Sequence, residues 1–409
     1  MRILLVHNFY QIPGGGELAV FEAEKKLLES RGHDVRVYTR HNDELQACST
    51  ASMAARTIWN PQTVRDVGRL LAREPHDLVH AHNTFSLVSP SLYYAAARAG
   101  VPVVQTLHNF RTICASSFLQ RSGHPCDICP RWRFPAAAVW YACYRGRRAP
   151  SAVLAAMQFL HRATGTWNRK VAAYIALTQF ARQEFIKAGF PAGRIFVKPN
   201  FLEPDPGEGG HGSGRALFVG MLSREKGADR LREAWTRAAR APGARLAVAG
   251  WGPMAEEILA WSRSDPTVEF LGRVDHPCVL ELMKESAFLL FPTQWYEGFP
   301  MVLAEAFATG LPVLASDLGS AGEIVEEGVT GRLVPPADTE VWAERIGWMM
   351  SHAAEVREMG RRARRVYESR YTADRNYEQL MQIYERAVRR ALADLPASAA
   401  LPPAAEPPA

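Results

Sequence analysis

The chain has 409 residues, of which 47% are apolar and 22% charged, with a formal net charge of +6. That length exceeds one ordinary core and predicts two or three domains of a globular protein. No apolar run reaches the roughly 18 residues of a membrane span, which excludes a spanning helix.

MRILLVHNF opens the chain and predicts a buried strand over Ile3–Val6. It lacks the basic lead, long apolar stretch and small-residue cleavage site of a signal peptide, which places the protein in the cytoplasm. Gly14, Gly15 and Gly16 then precede a helical pattern over Leu18–Ser30. This is a phosphate-type turn without a full G-x-G-x-x-G, and a plain tight turn is an equal reading. Further β-branched runs stand at Val35–Thr39, Leu78–Ala81, Val103–Leu107, Tyr174–Leu177 and Ile195–Val197. Their alternation with helical spacing predicts βαβ units and a parallel sheet within residues 1–202. Ligands of doubly wound sheets sit beyond the carboxyl ends of the strands. Asn8, His82, His108, Asn109 and Arg111 are therefore candidate site residues, and His7, His80 and His82 read as cleft-lining or satisfied histidines rather than metal ligands.

A loop over residues 110–150 interrupts this pattern and carries Cys114, Cys126, Cys129 and Cys143. The C-x2-C unit is a good zinc hook, and four thiolates would make a closed, structural site. Four unlinked thiols are the equal alternative, because the outer spacings are irregular. No acidic residue occurs between Asp127 and Glu184, where Arg131, Arg133, Arg145, Arg147, Arg148, Arg162, Arg169, Lys170 and Arg182 lie among Trp132, Phe134, Trp140, Tyr141, Phe159 and Trp167. Such a stretch suits an anionic membrane surface, or else is a solvated face over a buried aromatic stripe.

Residues 203–214, EPDPGEGGHGSG, read as a linker. The alternation restarts with Ala216–Val219, Leu246–Ala249, Val268–Leu271, Phe288–Phe291 and Val313–Ala315, giving a second doubly wound domain over 215–370. A helix over 371–393 and a tail over 394–409, too poor in apolar residues to fold, complete the chain. In WYEGFPMVLAEAFATG, Pro300 suits the first position of a helix, and the amides of Gly298, Phe299, Met301 and Val302 face outward at its positive end. Glu297 before that helix and Glu305 within it would hold the two ends of a sugar nucleotide, with Lys226 neutralising the diphosphate between them. A capping Glu beside an unrelated surface Glu is the bland alternative.

These motifs, GGGE at 14–17, TLHNFR at 106–111, GMLSREKG at 220–227, GWGP at 250–253 and the E-x7-E block at 297–305, resemble the retaining glycosyltransferases of family 4. The resemblance runs from residue 1 to about 335. It implies the GT-B fold, two Rossmann-like domains facing a cleft, with the last helix packed back on the first domain. It also implies metal-independent transfer of a hexosyl-type sugar from a UDP or GDP donor, with retention, to a glycan or lipid-linked acceptor. Cell-surface polysaccharide synthesis and peripheral placement at the inner membrane face follow as expectations, with no nucleic-acid partner and no catalytic cofactor.

By the same resemblance Glu297 contacts the donor sugar, Glu305 the ribose and Lys226 the diphosphate. Gly15 and Gly16 approach the phosphate, and His108 sits beside the reacting carbon. Asn8, His82, Asn109 and Arg111 become acceptor-side candidates. Two positions depart from the family: Met221 stands where an Arg usually joins the Lys, leaving Arg224 as the nearby cation, and Trp251 stands where an Asp is common. Three other readings remain: a GT-B epimerase or hydrolase, a polyanion binder built on the basic stretch, and a dehydrogenase that lacks its fingerprint. A Cys114–His108 nucleophile is a minor further use of those residues.

Overall fold

The computed structural model describes residues 1–10, 16–132, 134–239 and 242–393. The expectations placed on Gly14, Gly15, Arg133 and the tail lie outside those residues. In the first domain the strands are β1 (Arg2–Phe9), β2 (Asp34–His41), β3 (Leu78–Ala81), β4 (Val103–Leu107), β5 (Gln120–Arg121), β6 (His124–Pro125), β7 (Ala173–Ala176) and β8 (Ile195–Val197). β5 and β6 form a small hairpin, and the rest make a parallel sheet in the order β2-β1-β3-β4-β7-β8. Every residue of β3, β4 and β7 is buried, as expected of strands covered by helices on both faces.

The second domain contains β9 (Arg215–Met221), β10 (Arg245–Trp251), β11 (Val268–Gly272), β12 (Phe288–Phe291), β13 (Val313–Ser316) and β14 (Gly331–Val334). They form a parallel sheet in the order β11-β10-β9-β12-β13-β14. Strand order reverses beside β1, between β1 and β3, and again between β9 and β12. Those switch points are where doubly wound sheets open a crevice.

Several contacts tie the two domains. Glu323 accepts hydrogen bonds from the amides of Gln179 and Phe180 at 2.8 and 2.7 Å, capping a first-domain helix from the second domain. The 203–214 segment lies along the second domain, with the His211 ring bonded to the Ser286 and Thr309 carbonyls, each at 2.8 Å. The last helix, Ala373–Ala393, crosses to the first domain, where the Tyr384 hydroxyl is 2.7 Å from His80 Nδ1 and the Tyr377 hydroxyl 2.8 Å from His33 Nε2. One apolar core runs through both domains, containing Ile3 and Leu5 of β1, Leu303 and Phe307 of the second domain, and Leu380 and Tyr384 of that helix.

Candidate active site

At the second switch point β9 ends beside β12. The turn after β9 passes through Gly227, with φ 76°, where an added Cβ would stand 1.9 Å from the Pro292 carbonyl oxygen. Only glycine fits so close an approach in a left-handed conformation. The turn brings Lys226 to Glu297, Nζ 2.5 Å from Oε1, and the same oxygen accepts from Trp295 Nε1 at 2.7 Å. The helix begins at Met301, so Pro300 is its N-cap and not its first residue as expected. Its ψ of 107° is extended, while its carbonyl already accepts from the Leu303 amide at 3.0 Å. The amides of Met301 and Val302 still head the helix, at its positive end.

One turn further, Glu305 Oε1 is 3.0 Å from Nε2 of His276, and that hydrogen bond raises the His276 pKa above the ordinary value. Sequence reasoning missed His276. The available signal was Asp275-His276-Pro277 just after β11, a capped helix start delivered to the same edge. Met221 and Trp251 pair in register at the ends of β9 and β10 and are both exposed, with the Arg273 guanidinium 5.7 Å from the Trp251 ring. Trp251 therefore stands at the sheet edge and is no core residue. Arg224 is exposed in the Lys226 turn.

The first switch point is built differently. Asn8 is fully buried: its Oδ1 accepts from the amides of Leu87 and Val88 at 2.8 and 3.0 Å, and its Nδ2 donates to Asn42 Oδ1 at 2.9 Å. It holds the loop after β3 and leaves no polar atom for an acceptor. His82 is likewise buried, its Nδ1 3.0 Å from His108 Nε2 and its Nε2 3.1 Å from Glu24 Oε1. It backs His108 and does not itself face the cleft. Arg111 donates to the Ala115 carbonyl at 2.5 Å and lies over the Phe85 and Tyr144 rings, which engages it in the loop. Cleft-lining residues here are Gly16, Glu17, His108 and Asn109, opposite Glu297 and Gly298.

Glu17, in the first turn of the helix Gly16–Ser30, was missed as a site residue. Burial pushes its carboxyl up to about 8, against the pull of Arg111, Asn83 and Asn109. Its Oε1 has no hydrogen-bond partner among the described residues. The two edges touch: a Cβ on Gly298 would lie 2.2 Å from the His108 carbonyl oxygen, and one on Gly16 would lie 3.2 Å from Met301 Cγ. Phe118, from the 110–150 loop, stacks on Trp295 at 4.2 Å between centroids and roofs the Lys226–Glu297 pair.

In that loop the four cysteines are unpaired, and Cys114 Sγ is 3.1 Å from Ser116 Oγ. Burial, then the neighbouring thiols, raises Cys129 to about 12 and raises Cys143. They are not drawn together as metal ligands: among the described residues the group within 4.8 Å of one another is Glu24, His80 and His82. Of the basic, aromatic stretch, Trp167 is buried in the core, whereas Trp132, Phe134, Trp140, Tyr141 and Phe159 are exposed. No helix among the described residues is long and apolar enough to cross a membrane.

Comparison with known proteins adds to this geometry. Residues 13–206 match the description Glycosyltransferase Family 4, and residues 213–352 match Glycosyl transferases group 1. An exopolysaccharide phosphotransferase of Streptomyces coelicolor is 34% identical over 153 residues, 36% of this chain and 16% of that protein. The chain spans less than half the length of the relatives that it matches at 30% identity or more. The phosphatidyl-myo-inositol mannosyltransferase of Mycolicibacterium smegmatis is 26% identical over 94% of each chain. Among solved structures, the Anabaena protein HepE in complex with UDP superposes with a TM-score of 0.66 at 20% identity, over 94% of this chain and 100% of that one. That last likeness is one of fold.

Proposed function

The chain belongs to the family 4, group 1 glycosyltransferases, and from that premise we propose that it moves a sugar from a nucleoside diphosphate sugar to an acceptor hydroxyl. The observation that carries the reading is the Lys226–Glu297 pair at the head of the Met301 helix, packed through Gly298 against His108. The donor diphosphate takes the amides of that helix start and Lys226, Glu305 takes the ribose, and Glu297 takes sugar hydroxyls. Lys226 and Glu297 satisfy each other until the donor arrives.

Transfer proceeds on one face. The bond from the anomeric carbon to the diphosphate oxygen breaks, and the acceptor oxygen bonds to that carbon. The acceptor proton goes to the departing phosphate oxygen, so configuration is retained without an enzymic nucleophile or a cofactor. Cys114, bonded to Ser116 and not to His108, has no part in it. Glu17, protonated near neutral pH, offers a hydrogen bond to the incoming acceptor. The acceptor is a glycan or lipid-linked glycan, met where exposed Trp132, Trp140 and Tyr141 stand beside Arg131, Arg147 and Arg148, a surface suited to an anionic membrane face.

The four thiols carry a separate proposal. They suit a structural zinc in kind, because the cation would stabilise the thiolate form that burial, then the neighbouring thiols, disfavours at Cys129 and Cys143. Total-metal analysis should find one zinc per chain, absent from Cys129→Ser; a metal-free, equally stable wild type would sink this.

The test of the transferase reading is release of nucleoside diphosphate, with thermal stabilisation, across UDP-, GDP- and ADP-sugars. The UDP held by the Anabaena protein makes uridine donors the first to try. One donor should stabilise the wild type and be turned over slowly, and should fail with Lys226→Ala, Glu297→Gln and Glu305→Gln. Silence across the panel overturns the reading, and turnover without transfer to any acceptor favours a hydrolase or epimerase.

A further inference from the structure

Glu24 lies inside the first domain, 1% exposed, and has no place in the donor reading. Its Oε1 is 3.1 Å from both His82 Nε2 and His80 Nδ1, and its Oε2 accepts from Lys198 Nζ at 2.9 Å. Burial opposes its charge, but Lys198, then His80 and His82, hold the carboxyl well below the usual range. The spacing of Glu24, His80 and His82 would suit a metal, yet the Lys198 ammonium already occupies the second oxygen, so the cation is part of the fold. On the far side His80 Nε2 is 2.8 Å from Thr106 Oγ1, and its Nδ1 is held by Tyr384 of the last helix at 2.7 Å.

An ionised carboxylate can only accept. His82 Nε2 must therefore carry a proton, and in the neutral ring that leaves Nδ1 to accept. The group facing Nδ1, 3.0 Å away, is His108 Nε2. Burial, then His82, keeps His108 well below the ordinary histidine pKa, so that ring is neutral and has one proton to place.

We propose that Glu24 is a positioning residue that acts through His82 to hold His108 in the tautomer with its proton on Nε2 and its lone pair on Nδ1. The catalytic consequence rests on the transferase reading: a neutral ring does not oppose the positive charge that develops on the anomeric carbon, as an imidazolium would. The tautomer itself does not depend on that reading.

The test is nitrogen-15 spectroscopy of the full chain labelled at its histidine rings, with His108→Gln to identify the His108 signals. The wild-type His108 should show a protonated Nε2 and a bare Nδ1. In Glu24→Gln the new amide oxygen goes to Lys198 and its NH2 turns to His82. The chain of bonds then reverses, and the His108 proton moves to Nδ1. His82→Leu keeps the Glu24–Lys198 pair and should leave His108 as a mixture of both tautomers, which decides the matter if Glu24→Gln does not fold. A wild-type proton on Nδ1, or an unchanged His108 in a folded variant, overturns the proposal. The spectra need no donor, so a silent donor panel with these signals as expected would sink only the transferase reading.

Discussion

The two domains share an architecture but treat the charges at their switch points in opposite ways. In the first, Glu24, Lys198, His80 and His82 are each no more than 2% exposed and satisfy one another. In the second, the Lys226 and Glu297 side chains are 23% and 15% exposed, and Glu305 is paired with a His276 that is 56% exposed. Buried charge that is fully paired fixes geometry at the expense of desolvation, and removing one partner strands the other. Partly exposed pairs can exchange partners when a ligand arrives. The first domain therefore supplies a rigid floor, and the second supplies groups that can be handed to a donor.

The largest effect expected from this contrast is on stability. Lys198→Met strands the Glu24 carboxylate and should cost about 3–5 kcal/mol of unfolding free energy in urea titrations. Lys226→Ala should lower donor turnover by about 100- to 1000-fold and cost roughly 1 kcal/mol of stability or less. Equal stability losses for the two lysines would erase the distinction. Gly298→Ala would push the second domain off the His108 carbonyl, and a displacement of about 1 Å should cost on the order of 100-fold in turnover with the folded state retained.

Acid titration gives a smaller, graded effect. Burial holds His7 at about 3 and His80 at about 4, and holds His108 well below the ordinary value. Below about 6.5 the unfolded chain takes up these protons and the folded chain does not, so stability falls as pH is lowered, by at most about 1.4 kcal/mol per unit for each ring. Glu17, raised to about 8, works in the opposite sense from about 4.5 upward, because the folded state keeps a proton that the unfolded state loses. His33 and His161 are lowered as well, so five rings against one carboxyl leave a net rise in melting temperature between about pH 4.5 and 6.5, and Glu17→Gln should steepen it.

The smallest expected effect is at His276. Its raised pKa keeps it cationic, and on Glu305, up to a pH above about 6.5. Binding of UDP, measured by calorimetry, should weaken a few-fold as pH falls through that value, and His276→Gln should remove the dependence.

What was legible follows distance along the chain. Both parallel sheets could be read because each buried strand is a local apolar run between turn signals. β14 and the β5–β6 hairpin escaped because four residues containing Gly and Arg, or two residues a side, carry no periodicity. Glu297 and Glu305 could be read because strand, turn and helix are contiguous, so spacing there is geometry. Asn8 could be placed at a strand end but not recognised as buried behind the cleft, and for His82 the sequence left cleft-lining and satisfied as alternatives. Nothing in the sequence joined Glu24 to Lys198, since 174 residues separate partners that lie 2.9 Å apart.

By itself the sequence determined two doubly wound sheets and the E-x7-E motif at the edge of the second, because apolar periodicity and turn chemistry act over a few residues. Only the tertiary structure decided which polar groups are hidden and which are offered to a ligand. It seated the last helix on His80, put His276 on Glu305, lifted the Glu17 carboxyl by burial and aligned Glu24, His82 and His108. Desolvation and hydrogen-bond direction depend on what packs around a group, and that is fixed only when distant parts of the chain meet.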